Sequence, residues 1–174
     1  MGSADDALPD GISKDLREKA EQIGEAIAKH NAVLLTGATT GLIYIAGQRA
    51  RQAGALHIGI SPASNEREHE KEFNLPTDAC DAIIYTGFGL KGRNVVLVRS
   101  CDIVIFIAGA MGSLNEFTIA HDEGKVIGCL VGTGGVADEM DYLLKKFSKD
   151  TGAKVLNDPD PEILIERCLE LVAG

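Results

Sequence analysis

Unbroken apolar runs alternate along this chain with stretches of helical periodicity, and that alternation constrains the fold more than any other feature. The runs are AVLLTG at 32–37, LHIGIS at 56–61, AIIY at 82–85, IVIFIAG at 103–109, VIGCLVG at 126–132 and AKVLN at 153–157. A strand with water on one face alternates polar and apolar residues, whereas a strand covered on both faces reads as a continuous apolar run. Between the runs, Ile12, Leu16, Ala20, Ile23 and Ile27 recur at steps of three and four, which predicts a helix over 13–30 capped by Ser13. Further helices are expected at 41–54 closed by Gly54, 92–100, 113–123 ended by Gly124, 136–149, and 160–172 with Pro161 in its first turn. The polar stretch 62–79, with NEREHEKEF inside it, reads as a surface excursion. The expected architecture is α/β: a single domain over 1–174, built as a Rossmann-like doubly wound parallel sheet with helices on both faces.

In such a sheet, ligands bind outside the carboxyl ends of the strands. Strand ends here carry Gly37, Gly87, Gly109 and Gly132, so the loops 36–42, 86–93, 109–113 and 132–136 are expected to rim one crevice. In TGATTGL, Gly37 and Gly41 let backbone amides approach a ligand, and Thr39 and Thr40 add hydroxyls. The same residues also suit an ordinary strand-to-helix turn. In GAMGSLNE at 109–116, Gly109, Ala110, Met111 and Gly112 lead to Ser113, read as the N-cap of a helix. Free amides at a helix start, with the helix dipole, favour an anion. Glu116 has a bland reading, because Ser113-Leu114-Asn115-Glu116 fits a capping box in which the glutamate folds back on the amide of Ser113. Arg93 follows the GFGLKG segment and is the arginine best placed to reach a phosphate from the third strand's end, with a solvated helix-start arginine as the alternative.

Composition removes several function classes. A formal charge of −9 speaks against a broad nucleic-acid face. Cys80, Cys101, Cys129 and Cys168 lie far apart with no CxxC pair, so neither a metal site nor a resident cofactor is expected, and the setting is read as reducing and cytoplasmic. No apolar stretch approaches membrane-spanning length. His121 is read as solvated, His57 as packed at a strand start, and Glu66-Arg67-Glu68-His69-Glu70 as a solvated loop or helix face.

Taken in order, these pieces resemble the LONELY GUY group of Rossmann-like proteins, often labelled lysine decarboxylase family, and its nucleotide-binding and molybdenum-cofactor-carrier relatives. That family's pattern runs G-G-x-G-T-L-x-E after a strand, preceded by an arginine segment and an early glycine loop. GAMGSLNE is similar to the first, GRNVVLVRSCDIVIFIAG to the arginine helix and strand before it, and LLTGATTGLIYIAGQRARQAGALHIGISP to the early loop, over roughly residues 2–150. The resemblance implies a phosphorylated small molecule of the nucleoside-monophosphate kind as ligand. It implies Gly37, Thr39, Thr40, Gly41, Asn94 and Gly109 to Ser113 as binding residues, and Arg93 and Glu116 as the pair that in hydrolytic members cleaves base from ribose. In that reading amides hold the phosphate and Glu116 faces the sugar, supporting the charge that develops at C1′.

This chain departs from the hydrolytic pattern. Ala110 replaces a glycine and Ser113 a threonine; Asn115 stands where a second glutamate is frequent, and Asn94 where lysine is frequent. The GFGLKGRN segment is closer to the nucleotide-binding relatives. The expectations are therefore binding first, with phosphoribohydrolase and molybdenum cofactor carrier as alternatives. A decarboxylase needs a pyridoxal-phosphate lysine, which neither Lys91 nor Lys125 has the context to be. Family likeness and the apolar helices 41–53 and 92–100 also predict a homo-oligomer. Family members begin with a central strand leading into a glycine-serine turn. Here the sequence opens on Met1-Gly2-Ser3-Ala4 as if that strand were missing, so either the sequence is a shortened product or the sheet closes up without that strand.

Overall fold

The computed structural model describes residues 1–3, 11–147 and 149–173. Every strand pairing in it is parallel. Three strands form one sheet in the order β1 (Leu34–Thr36), β2 (His57–Ser61), β3 (Ala82–Tyr85). Three more form a second sheet in the order β4 (Ile103–Ile107), β5 (Val126–Leu130), β6 (Lys154–Asp158). The helices are α1 (Lys14–Lys29), α2 (Leu42–Gln52), α3 (Glu66–Lys71), α4 (Gly89–Arg99), α5 (Met111–Asp122), α6 (Val136–Phe147) and α7 (Pro161–Ala173).

Apolar burial sets this arrangement. One core cluster joins Ala20, Ile23 and Ile27 of α1 to Leu42, Ala46 and Ala50 of α2, and to Leu164 and Cys168 of α7. The other joins Val104, Phe106, Ile127 and Cys129 of the strands to Phe117, Ala120 and Met140 of the helices, with the Phe106 and Phe117 rings edge-on at 6.0 Å. Each large side chain so buried stabilises by about 1.5–3 kcal/mol before the chain-entropy cost. The α1–α2 contact is close because Gly24 faces the α2 backbone, where a Cβ would lie 2.5 Å from the Ala46 carbonyl oxygen. The apolar character of 41–53 is thus spent within the chain, whereas on α4 Leu90 and Val95 stay exposed.

The sheet does not close across its middle. β1 and β4 do not pair; a cleft of about 420 Å3 separates them, lined by Leu34, Leu35, Ile103, Ile105 and side chains of α1 and α7. Residues 1–3 span only its upper end. Gly2 bridges Ile107 in parallel, Ile107 N–H donates to the Met1 carbonyl at 3.0 Å, and Leu42 N–H donates to that of Ser3 at 3.1 Å. Met1 donates its α-ammonium to the Ile105 carbonyl. Burial holds that ammonium below its usual value, opposed by the nearby Glu116 carboxylate.

A base whose folded pKa is depressed lends stability above its unfolded value, about 8.0, and loses it as pH falls toward the folded one. The melting temperature should therefore rise between pH 7 and pH 9. In protein acetylated at Met1, this part of the rise should vanish; equal slopes in a thermal melt series would show that the ammonium is not desolvated.

Candidate functional site

At the carboxyl ends of β1 and β4 lies a second cleft, of about 660 Å3. Its position follows from the local chemistry of each loop. Thr36 ends β1 with its hydroxyl 2.8 Å from His57 Nε2, and the same oxygen accepts from Ala38 N–H at 3.2 Å. His57 Nδ1 lies 2.6 Å from the Ala79 carbonyl, so Nδ1 carries the proton and Nε2 accepts from Thr36. Burial lowers the pKa of His57 and keeps it neutral. The expectation that His57 packs at a strand start holds, and its effect is to pin the turn through Gly37 and Ala38.

Gly37 has a reason beyond the one read in the sequence. The Arg93 guanidinium lies on it, and a Cβ there would fall 1.8 Å from Nη1. The glycine makes room for the arginine, and it also lines the cleft. Arg93 is buried, with Nη1 3.9 Å from Glu116 Oε1, and its Nε has no hydrogen-bond partner. Burial pulls the guanidinium pKa down, opposed by Glu116. Glu116 is only 7% exposed. Burial raises its pKa, opposed by the Met1 ammonium, Arg93 and Lys91.

The capping box does not form. α5 begins at Met111 with Ala110 as N-cap and no side-chain cap, so Ser113 is the third helical residue, and it is buried. Ser113 packs where a Cβ on Gly109 would lie, 2.7 Å from its Oγ. The pattern S-x-x-E suits a helix interior equally well; here Glu116 is drawn inward to Arg93, and the first amides of α5 keep no side-chain cap. They form one wall of the cleft, through Ala110, Met111, Gly112 and Ser113.

α4 also starts earlier than the sequence suggests. Gly89 N–H donates to the Pro62 carbonyl at 3.0 Å, which anchors the first turn three residues before Gly92. This places Lys91 on the helix, with Nζ 3.5 Å from where a Cβ on Gly112 would be. Lys91 is a site residue that sequence reasoning passed over, because GFGLKG reads as a loop.

The two asparagine departures meet each other. Asn94 is linked to Asn115 at 2.8 Å. With both amides turned over, Asn115 donates to the Asn94 oxygen and the Asn94 nitrogen lies 3.2 Å from Glu116 Oε1 and 3.0 Å from the Leu90 carbonyl, so the pair is bonded in either arrangement. A neutral hydrogen-bonded pair therefore stands where the hydrolytic pattern has two opposite charges.

Gly37, Thr39, Thr40, Arg93, Asn94, Ala110, Met111, Gly112, Ser113 and Glu116 all line the cleft. Gly41 and Gly109 do not. Gly41, at φ +77, is the N-cap of α2. Gly109 donates to Ser3 Oγ at 2.9 Å and stands behind the cleft. The loop 132–136 does not line it either: Val136 N–H donates to Gly109 O and Thr133 Oγ1 accepts from Ala108 N–H, so this loop buttresses the glycine turn. In its place the segment Phe73-Asn74-Leu75, from the expected surface excursion, forms a wall. Within that excursion His69 is fully buried rather than solvated, held by Ser61 Oγ at Nδ1 and the Pro76 carbonyl at Nε2. His121 is partly buried against Phe117.

Parallel strands, flanking helices and a cleft at the strand carboxyl ends with an uncapped helix start define a Rossmann-like α/β protein. The chain belongs to the SLOG cluster4 family, whose profile matches residues 1–165. A relative from Archaeoglobus fulgidus is 32% identical over 111 residues, covering 64% of this chain and 68% of its own. Among solved structures, the molybdenum cofactor binding protein from Rippkaea orientalis superimposes with a TM-score of 0.71 at 28% identity, covering 99% of this chain and 92% of its own. The molybdenum cofactor carrier protein from Chlamydomonas reinhardtii gives 0.76 at 24%, covering 100% and 96%. No helix among the described residues is long and apolar enough to cross a membrane.

Proposed function

We propose that this protein binds a small phosphorylated molecule in the cleft between α2, α4 and α5, as a binder or carrier and not as a hydrolase. The observation that supports this most is the convergence of Lys91, Arg93 and the uncapped amides of α5 on one cleft. A phosphate there meets donors, a helix dipole and two cations. The 28% likeness to a molybdenum cofactor binding protein supports that cofactor, beside a nucleotide, as the kind of cargo the cleft takes. A free small molecule also suits the net charge of −9 better than a nucleic-acid strand.

One observation keeps hydrolysis as a second reading, the approach of Arg93 to Glu116. The surroundings weigh against it. Burial works against the ionised form of Glu116 that supporting positive charge at a sugar carbon requires, opposed by the Met1 ammonium, Arg93 and Lys91. The neutral Asn94–Asn115 pair removes two further charges from its neighbourhood.

The test is incubation with AMP as probe, following bound nucleotide by calorimetry and released adenine by chromatography. Binding in the micromolar to millimolar range with no adenine after hours is the expected result. Sustained adenine release that falls at least about a hundredfold in Glu116→Gln would instead establish the hydrolase.

Assembly remains a proposal that rests on α4. Phe88, Leu90 and Val95 lie 43–66% exposed on or beside that helix. Light scattering of Val95→Glu beside the unaltered protein should show a shift from dimer or larger toward the 18.4 kDa monomer. A monomer in both would remove the assembly.

A further inference from the structure

The anion-binding groups use only part of a 660 Å3 cleft, a volume that suits a whole small ligand rather than one phosphate. The rest of its lining includes Ile43, Phe73, Leu75 and Leu90. Of these, Phe73 and Leu75 flank Asn74, and this three-residue segment is held in place by hydrogen bonds on both sides. Asn74 holds a left-handed backbone, φ +52. Phe73 N–H donates to the Glu68 carbonyl and Leu75 N–H to that of His69, each at 3.0 Å. Beyond Leu75, the Pro76 carbonyl accepts from the buried His69 at 3.1 Å, and the other ring nitrogen of His69 meets Ser61 Oγ at 2.8 Å. Since a carbonyl only accepts, Nε2 donates to it, and with Nδ1 bonded to Ser61 both ring nitrogens are partnered. Ser61 ends β2, so His69 ties the segment to the sheet.

We propose that Phe73-Asn74-Leu75 is the wall that receives a planar heterocycle, so that the site selects a phosphate joined to a ring over a bare sugar phosphate. This rests on the phosphate reading above. Phe73 and Leu75 offer an aromatic and an aliphatic surface for a ring face. The Asn74 amide makes no side-chain hydrogen bond among the described residues, and it carries both a donor and an acceptor for a ring edge. His69 acts through the segment as a positioning residue.

The alternative role for Asn74 is that of a turn residue after α3, asparagine being among the residues that tolerate a left-handed backbone. Asn74→Gly separates the two, because glycine keeps the backbone and removes the amide. The experiment is calorimetric titration of inorganic phosphate, ribose 5-phosphate and AMP into the unaltered protein, Phe73→Ala and Asn74→Gly, with thermal melts of all three. The unaltered protein should bind AMP about tenfold or more tightly than ribose 5-phosphate, the scale of one aromatic–base contact. Phe73→Ala should erase most of that preference and Asn74→Gly part of it, with ribose 5-phosphate affinity and melting temperature unchanged. Equal affinity of the unaltered protein for AMP and ribose 5-phosphate overturns the inference and leaves the phosphate site standing. So does a preference that survives both substitutions. Failure of all three probes to bind at millimolar concentration overturns the phosphate site, and this inference with it.

Discussion

Arg93→Ala should weaken binding of AMP by about 1.5–3 kcal/mol, or roughly ten- to 150-fold, the range for a charge-assisted hydrogen bond removed from a buried setting. The substitution takes away the cation that lies on Gly37 and leaves Glu116 desolvated with less opposition. That second consequence has a pH signature. A carboxyl whose folded pKa is raised favours the fold fully below its unfolded value, about 4.5, and loses this as pH rises through the folded one. Without Arg93 the folded pKa of Glu116 rises further. The variant should therefore melt well below the unaltered protein at pH 7 and come close to it near pH 4.5. A gap that is constant across this window would show that the pair is not coupled. Arg93→Ala with unchanged AMP affinity would remove the arginine from the site.

The second large effect belongs to a residue that no ligand touches. Gly135, at φ +59, stands where a Cβ would be 2.3 Å from the Gly109 carbonyl oxygen and 3.0 Å from its nitrogen. Gly135→Ala should destabilise by about 3 kcal/mol: roughly 1–2 from the left-handed backbone, the rest from a contact with rigid main chain. In a chain of this size that corresponds to a melting temperature lower by roughly 6–12 °C. Gly134, at φ +79, has open space around it, so Gly134→Ala carries the backbone cost alone. Equal losses in the two variants would show that the packing of 132–136 on the glycine turn is unimportant. AMP affinity should fall in Gly135→Ala too, because the displaced Gly109 leads into the first turn of α5.

The parallel strands were legible because burial on both faces writes an unbroken apolar run, as in IVIFI and VIGCL. Of the expected cleft loops, 36–42 and 109–113 were legible from their glycines, whereas the glycines of 132–136 mark a loop that packs behind the cleft. What escaped depends on partners distant in sequence. Glu116 and Ser113 fit a capping box by spacing alone; the competing partner, Arg93, is 116 − 93 = 23 positions away and is drawn in through Gly37. Lys91 was hidden because the start of α4 is fixed by Pro62, which belongs to another loop. His69 sits among four charged neighbours that read as solvated, yet its two ring nitrogens find Ser61 and Pro76. The absence of a central strand was legible from the family pattern, but the sheet does not close up in its place: β1 and β4 stay apart across an open cleft. Each strand's own sequence says that it is covered, not by what.

The most direct measurement of the central claim is a crystal structure of the unaltered protein soaked with AMP at millimolar concentration. The phosphate should lie against the amides of Met111 to Ser113, within hydrogen-bond reach of Lys91 Nζ, with the Arg93 guanidinium turned toward it. Phosphate density elsewhere on the molecule, or an empty cleft with α5 unchanged, would contradict the account.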